Sequence, residues 1–390
     1  MSLTINEIQQ LCLETPAFLY DEAAILERLY SLEKLSSATG CRVLFSIKAF
    51  SMADALRLMI PMLDGLAVSS LFEASLARNL IGRRKKTIHI TTPALRSDEI
   101  NELSKICDYV SFNSLNQWKT LSDQWSDDAS CGLRVNPQLS YVVDERYDPC
   151  CSHSKLGIPL PQLVEFVASH ARSIPRLEGL HFHTNCESTC FEPLLATTEC
   201  VRTHLGSLLR QIKWINLGGG YQYGNIDTVE PFYRAVDLLK RESSLEVFIE
   251  PGEAIVGNAG YIVSSVLDLF ESDGKSIAVL DTTVNHLPGV FNYQTAPSVL
   301  NSVTSGDHRY VLAGATCLAG DLFGEHIFSE PLKVGSTIIF QDVGGYSLVK
   351  ANMFNGVNLP NIYAIDENKR LWLKKRYMVT DFLSKWESTQ

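Results

Sequence analysis

Five short runs decide how this chain folds: VLFSI at Val43–Ile47, GLAVS at Gly65–Ser69, TIHIT at Thr87–Thr91, YVSFN at Tyr109–Asn113 and GLRVN at Gly132–Asn136. They end at residues 47, 69, 91, 113 and 136, so the steps between them are 22, 22, 22 and 23 residues. A step of that length holds one strand, one helix of about three turns and two short loops. The intervening segments Asp54–Met62, Leu71–Ile81, Asp98–Ile106 and Leu115–Trp125 have helix-like apolar spacing. Three later runs, Leu177–His183, Trp214–Leu217 and Leu245–Glu250, bring the strands to eight. Eight such units predict a closed (β/α)8 barrel of the TIM type; an open doubly wound sheet would show six strands or fewer. The polar stretch Ser140–Lys155 interrupts the pattern and reads as an extended loop.

After Pro251 the texture changes. The runs Tyr261–Phe270, Ser276–Leu280, Tyr310–Ala313, Ser336–Phe340 and Tyr363–Ile365 are separated by Gly, Pro, Asn and Asp clusters instead of helical segments. They predict a second, mostly antiparallel β domain over residues 257–390, with residues 1–17 joined to it, beside a barrel over 18–256. The whole chain has 390 residues, enough for two domains. Its net charge of −10 argues against affinity for nucleic acid phosphates or anionic lipid and is compatible with a cationic substrate. The ten cysteines include no C-x-x-C pair, so a zinc ribbon or thioredoxin-type site is not expected. No stretch approaches the length of a membrane span and none at the N-terminus resembles a signal peptide; a cytoplasmic protein with reduced thiols is the expectation.

In such a barrel the chemistry sits at the C-terminal ends of the strands. Lys48 follows the first apolar run; it is either a snorkelling surface residue or an amine whose pKa is lowered for Schiff-base chemistry. Gly218-Gly219-Gly220 follows the seventh run and is either a tight turn or a backbone cradle for phosphate. Glu250 precedes Pro251-Gly252 and could cap a helix, pair with an arginine or hold a proton on a pyridine nitrogen. His183 could stack on a flat ring, although its neighbour His181 weakens that signal.

Taken together, lysine on strand one, histidine on strand six, a glycine run after strand seven and Glu-Pro-Gly after strand eight resemble the fold-type III (alanine racemase-like) decarboxylases, which depend on pyridoxal 5'-phosphate (PLP). The matching segments are Phe45–Ala49, Gly179–His183, Asn216–Gly220, Ile249–Gly252, Gly314–Cys317 and Gly344–Ser347. The resemblance implies that Lys48 forms the Schiff base with the cofactor, that His183 stacks on its ring and that Glu250 keeps the ring nitrogen protonated. It further implies that Gly218, Gly219 and Gly220 bind the phosphate with help from Tyr346, and that Arg134 lies near the ring. Cys317 would reprotonate the α-carbon from the partner subunit of a homodimer with shared active sites.

Within the family, Glu250–Ala254, Cys317–Asp321 and Phe354–Val357 resemble the carboxynorspermidine/carboxyspermidine decarboxylase subgroup. Glu253 stands where ornithine and diaminopimelate enzymes carry an arginine, which argues against a distal carboxylate on the substrate. Glu253, Asp321 and His286 are therefore expected to meet a small-molecule substrate bearing distal amines. The implied reaction is decarboxylation of a 3-amino-3-carboxypropyl amine in polyamine biosynthesis. Three departures bear on it: Cys186 replaces a phosphate-contacting serine, and Gly289 and Asn292 stand where the subgroup usually has acids. Two alternatives stay open. The same aminocarboxypropyl unit could be borne by a non-polyamine substrate, as in maturation of microcin C-like peptide-nucleotide antibiotics, or the protein could be a non-catalytic PLP carrier.

Overall fold

A computed structural model describes residues 3–170, 174–224, 228–241 and 244–388. The chain divides into two units, Arg28–Ala254 and Met1–Glu27 together with Ile255–Gln390.

The first unit is the barrel. Its strands are β1 (Arg42–Ser46), β2 (Gly65–Val68), β3 (Thr87–Thr91), β4 (Tyr109–Phe112), β5 (Ser130–Asn136), β6 (Leu177–His181), β7 (Trp214–Asn216) and β8 (Glu246–Ile249). Every neighbouring pair is parallel, and β8 pairs with β1 to close the ring. The eight expected runs are these eight strands, shifted by a few residues at their ends. Helices Ala53–Met59, Leu71–Ile81, Ile100–Ile106 and Leu115–Leu121 connect the first five. Two of them begin where a serine can satisfy an open backbone donor: Ser70 Oγ accepts from Glu73 N and Ser114 Oγ from Gln117 N.

The barrel interior is filled, as its sequence requires. Trp214 points inward from β7 opposite Gly132 on β5 and Gly179 on β6. A Cβ on those glycines would lie 2.5 Å and 1.9 Å from the indole ring, so the large side chain fits only because the facing positions have none. Trp214 Nε1 donates to Ser130 Oγ at 2.8 Å, which satisfies the one polar atom of the ring. His89 stacks on Tyr109 with centroids 4.0 Å apart and lies 4.6 Å from the Phe248 ring. Burial brings the His89 imidazole down to about 3, so it is a neutral packing residue. These side chains plug the barrel and leave its chemistry to the strand ends above them.

The second unit is a sheet in the spatial order Leu322–Phe328, His308–Ala313, Lys275–Leu280, Gly260–Ser272, Ala17–Asp21, Asn361–Ile365, Leu371–Lys375, with Thr337–Phe340 also paired to Gly260–Ser272. Five of its seven pairings are antiparallel. Ala17, Leu19, Tyr261, Val263, Ile339 and Tyr363 form its core with Leu3 and Ile8 of the N-terminal segment. Among the described residues no helix is long and apolar enough to cross a membrane.

Candidate active site

The chain after β1 does not continue as strand. It makes one 3-10 turn, Ile47–Ala49, closed by a bond from Phe50 N to Ile47 O at 2.9 Å. Ile47 and Ala49 are buried, which leaves the Lys48 side chain directed away from the core. After β8, Gly252 lets the chain pass close to that turn, where a Cβ would be 2.9 Å from the Ala49 Cβ. Strands one and eight are thereby locked side by side, each with its charged residue at the mouth.

Lys48, Arg134, His183 and Glu250 line one cavity of about 270 Å³ at the C-terminal end of the barrel, together with Ser46, Ser69, Thr91, His181, Asn185 and Cys186. The arrangement is electrostatically strained in a useful way. Lys48 is open to the cavity, yet the protein around it lowers its amine below the ordinary lysine range; Glu250 partly opposes this and Arg134 adds to it. Burial lowers the Arg134 guanidinium to about 10, with Glu250 opposing. Among the described residues no hydrogen bond ties that guanidinium down, so a buried cation faces the cavity. Burial alone would raise the Glu250 carboxyl, but His181 first and then Lys48 outweigh it and bring the group down to about 2. His183 is kept neutral by burial and by Lys48 and Arg134. An amine lowered from its ordinary range, a flat neutral ring, a carboxylate and an unpaired guanidinium around one cavity suit a protonated heteroaromatic aldehyde bearing anionic groups.

The glycine run behaves differently from the simple expectation. Gly218 N donates to Asn216 Oδ1 at 2.9 Å and Gly219 N to His183 Nδ1 at 3.1 Å. Two of the three amides are therefore spent inside the protein, and among the described residues the Gly220 amide is the one left for a ligand. The glycines are needed chiefly for packing. Gly218 and Gly220 have φ of +68° and +89°, and a Cβ on Gly219 would sit 2.3 Å from Glu250 O. The bond to Nδ1 also fixes His183 as an acceptor there, so its proton is on Nε2.

Of the remaining expected residues, Glu253 belongs to the same unit as this cavity and the others to the sheet unit. Glu253 opens the short helix Glu253–Val256, is half-buried and is not part of the cavity wall. Cys317, Tyr346, Asp321 and His286 belong to the sheet unit. Cys317 is exposed on the turn between strands His308–Ala313 and Leu322–Phe328, and its backbone N–H donates to Asn355 Oδ1 at 2.8 Å. Tyr346 holds a left-handed backbone, φ +57°, which is strained for a non-glycine residue and follows Gly344-Gly345. Asp321, expected to meet the amines of the substrate, is turned inward here. It is 2% exposed; one oxygen accepts from Val284 N at 2.8 Å and the other from Thr316 N at 3.0 Å and Thr316 Oγ1. Its carboxylate ties Thr316, beside Cys317, to Val284. His286 is likewise closed off, 1% exposed with Nδ1 bonded to Thr282 Oγ1 at 3.0 Å, and burial lowers it to about 4.

Several residues at the site were not singled out from sequence. Asn216 donates from Nδ2 to Glu250 Oε1 at 2.7 Å and so joins the glycine turn to the carboxylate. The signal was a polar residue inside the run Trp214–Leu217. Arg146, Tyr147, Asp148 and Pro149 line the cavity from the stretch that read only as a loop. Asn113 anchors the far end of that stretch, donating to Lys155 O and accepting from Gly157 N, both at 2.8 Å.

Comparison with known proteins gives a consistent result. A family model described as pyridoxal-dependent decarboxylase, C-terminal sheet domain, matches residues 17–344. The carboxynorspermidine/carboxyspermidine decarboxylase of Campylobacter jejuni is 32% identical over 385 residues, covering 95% of this chain and 98% of the relative. The carboxyaminopropylagmatine decarboxylase of Synechocystis is 31% identical, covering 95% of each. The crystal structure of Campylobacter jejuni carboxynorspermidine decarboxylase complexed with norspermidine superposes with a TM-score of 0.86 at 30% identity, over 96% of this chain and 100% of that one. The chain belongs to the pyridoxal-dependent decarboxylases.

Proposed function

We propose that this member of the pyridoxal-dependent decarboxylases removes the carboxyl group of a 3-amino-3-carboxypropyl amine, such as carboxynorspermidine or carboxyspermidine, and releases the aminopropyl amine. The observation that carries this reading is the joint presence of Lys48, His183, Arg134 and Glu250 on one cavity wall. The naming of the two relatives above supplies the substrate class.

The residues present fit PLP. Lys48 would hold it through an amine already inclined to be neutral, Glu250 would face the ring nitrogen, His183 the ring, and Arg134 and the Gly220 amide its anionic oxygens. Bound there, PLP supplies an electron sink for the pair left when CO2 departs. The protein's share is preorganised charge: an ionised Glu250 in a wall that water barely reaches. Cys317 of the partner subunit gives its proton to the α-carbon, and the thiolate regains one from solvent. That role requires a homodimer in which each sheet unit serves the other barrel. All ten cysteines are free, which supports a reducing, cytoplasmic setting.

A second reading is favoured by one observation. The Asp321 carboxylate is buried and bonded to Val284 and Thr316, and Gly289 and Asn292 carry no charge. The aminocarboxypropyl unit could then be attached to a non-polyamine group. The test is CO2 release and product mass from a panel holding carboxynorspermidine, carboxyspermidine, carboxyaminopropylagmatine and an aminocarboxypropyl-substituted nucleotide. Turnover of the first two and not the last is expected. No CO2 from any polyamine substrate overturns the primary reading.

A further inference from the structure

Beneath the cavity the parallel register sets Arg134, His181 and Asn216 side by side on β5, β6 and β7. His181 is the residue for which the chemistry outlined above has no use. It is 1% exposed and lines the cavity, and neither ring nitrogen has a hydrogen-bond partner among the described residues. A buried imidazole left in that state costs stability unless something else is served by it. Its Nε2 lies 3.7 Å from Glu250 Oε2, too far for a hydrogen bond and close enough to feel the charge. The other carboxylate oxygen, Oε1, is held by Asn216 Nδ2 at 2.7 Å. The orientation of that amide is not arbitrary. Gly218 N–H can only donate, so it must face Oδ1, and Nδ2 is left for Glu250.

We propose that His181 is a positioning residue for the cofactor: its neutral ring, with the Nε2–H edge 3.7 Å from Glu250 Oε2, favours the charge on the carboxylate and keeps it aimed at the ring nitrogen. Each carboxylate oxygen can accept two bonds, and Asn216 takes one on Oε1, so lone pairs are left for the ring. The charge state is consistent. Burial keeps His181 below the ordinary histidine range, with Glu250 opposing and Arg134 and Lys48 reinforcing. A cationic His181 would be repelled by both bases and would neutralise the charge that the ring needs. The groups facing it are Glu250 from β8, Arg134 from β5, Lys48 after β1, His183 after β6 and His89 on β3.

The inference rests on the PLP reading of the cavity. The test compares wild type, His181→Phe and His181→Asn as holoenzymes. The readouts are the pH titration of cofactor absorbance without substrate, cofactor affinity by equilibrium dialysis, and the pH profile of kcat. Removing the donor raises the Glu250 pKa, so in His181→Phe the acid limb should move up by about one pH unit and kcat should fall about tenfold with KM little changed. His181→Asn, which keeps a donor, should restore the wild-type limb. A folded His181→Phe with unchanged absorbance titration and pH profile would overturn the proposal. Should that variant not fold, 15N imidazole spectra of the wild type decide: a neutral His181 with its proton on Nε2 is expected, and a protonated ring at neutral pH contradicts it. Failure of the PLP reading looks different, because the wild type itself would then show no cofactor absorbance.

Discussion

Glu250 keeps its charge in a wall where burial opposes it, and among the described residues Asn216 gives it a direct hydrogen bond. Replacing Glu250 with Gln preserves the shape and deletes the charge. Steady-state kinetics should show kcat reduced by about 10²-fold or more. Thermal melts of the same variant should show a modest loss of stability, because the neighbours of the carboxylate make the folded state favour its ionised form. At this scale the sequence was informative wherever strand periodicity located a strand end: Lys48, His183 and Glu250 are each one or two residues past β1, β6 and β8. It was uninformative about direction. Nothing in Gly320-Asp321-Leu322 says that the carboxylate turns inward to Thr316 and Val284. Nor does Gly218-Gly219-Gly220 say that two of its amides are already taken by Asn216 and His183.

The elements were legible in proportion to how completely they are buried. Parallel barrel strands are covered on both faces and so read as unbroken apolar runs, which is why all eight were recognised. Three sheet strands escaped. Ala17–Asp21 is wholly buried but only five residues long; Leu322–Phe328 carries Gly324 and charged Glu325; Leu371–Lys375 is an edge strand with Trp372 and Leu373 exposed. Their partners, not their own patterns, make them strands. The same interdependence operates inside the barrel, where Gly179 exists to admit Trp214. Gly179→Ala should therefore lower stability in urea titration by about 3 kcal/mol or more, since the new methyl would overlap a rigid buried ring. Gly219→Ala should instead weaken cofactor binding, because its methyl would push on Glu250 O and displace the carboxylate's strand end. Equilibrium dialysis of that variant reads the effect directly.

For the whole molecule, the claim with most at stake is that barrel residues of one chain work with Cys317 of the partner subunit. Lys48→Ala and Cys317→Ala should each be nearly inactive. Refolded together they form some dimers with one intact site, restoring about a quarter of wild-type activity if subunits mix randomly. No recovery would place Cys317 outside the shared site. The net charge of −10 neither supports nor opposes a polyamine substrate, because the anions that matter are few and local, and one of them, Asp321, faces inward. The most direct measurement supplies carboxyl-labelled carboxynorspermidine to the wild-type holoenzyme and to Lys48→Ala. The expected result is labelled CO2 and norspermidine from the wild type and neither from the variant. Absence of labelled CO2 from the wild type, or equal release by both, would contradict the account.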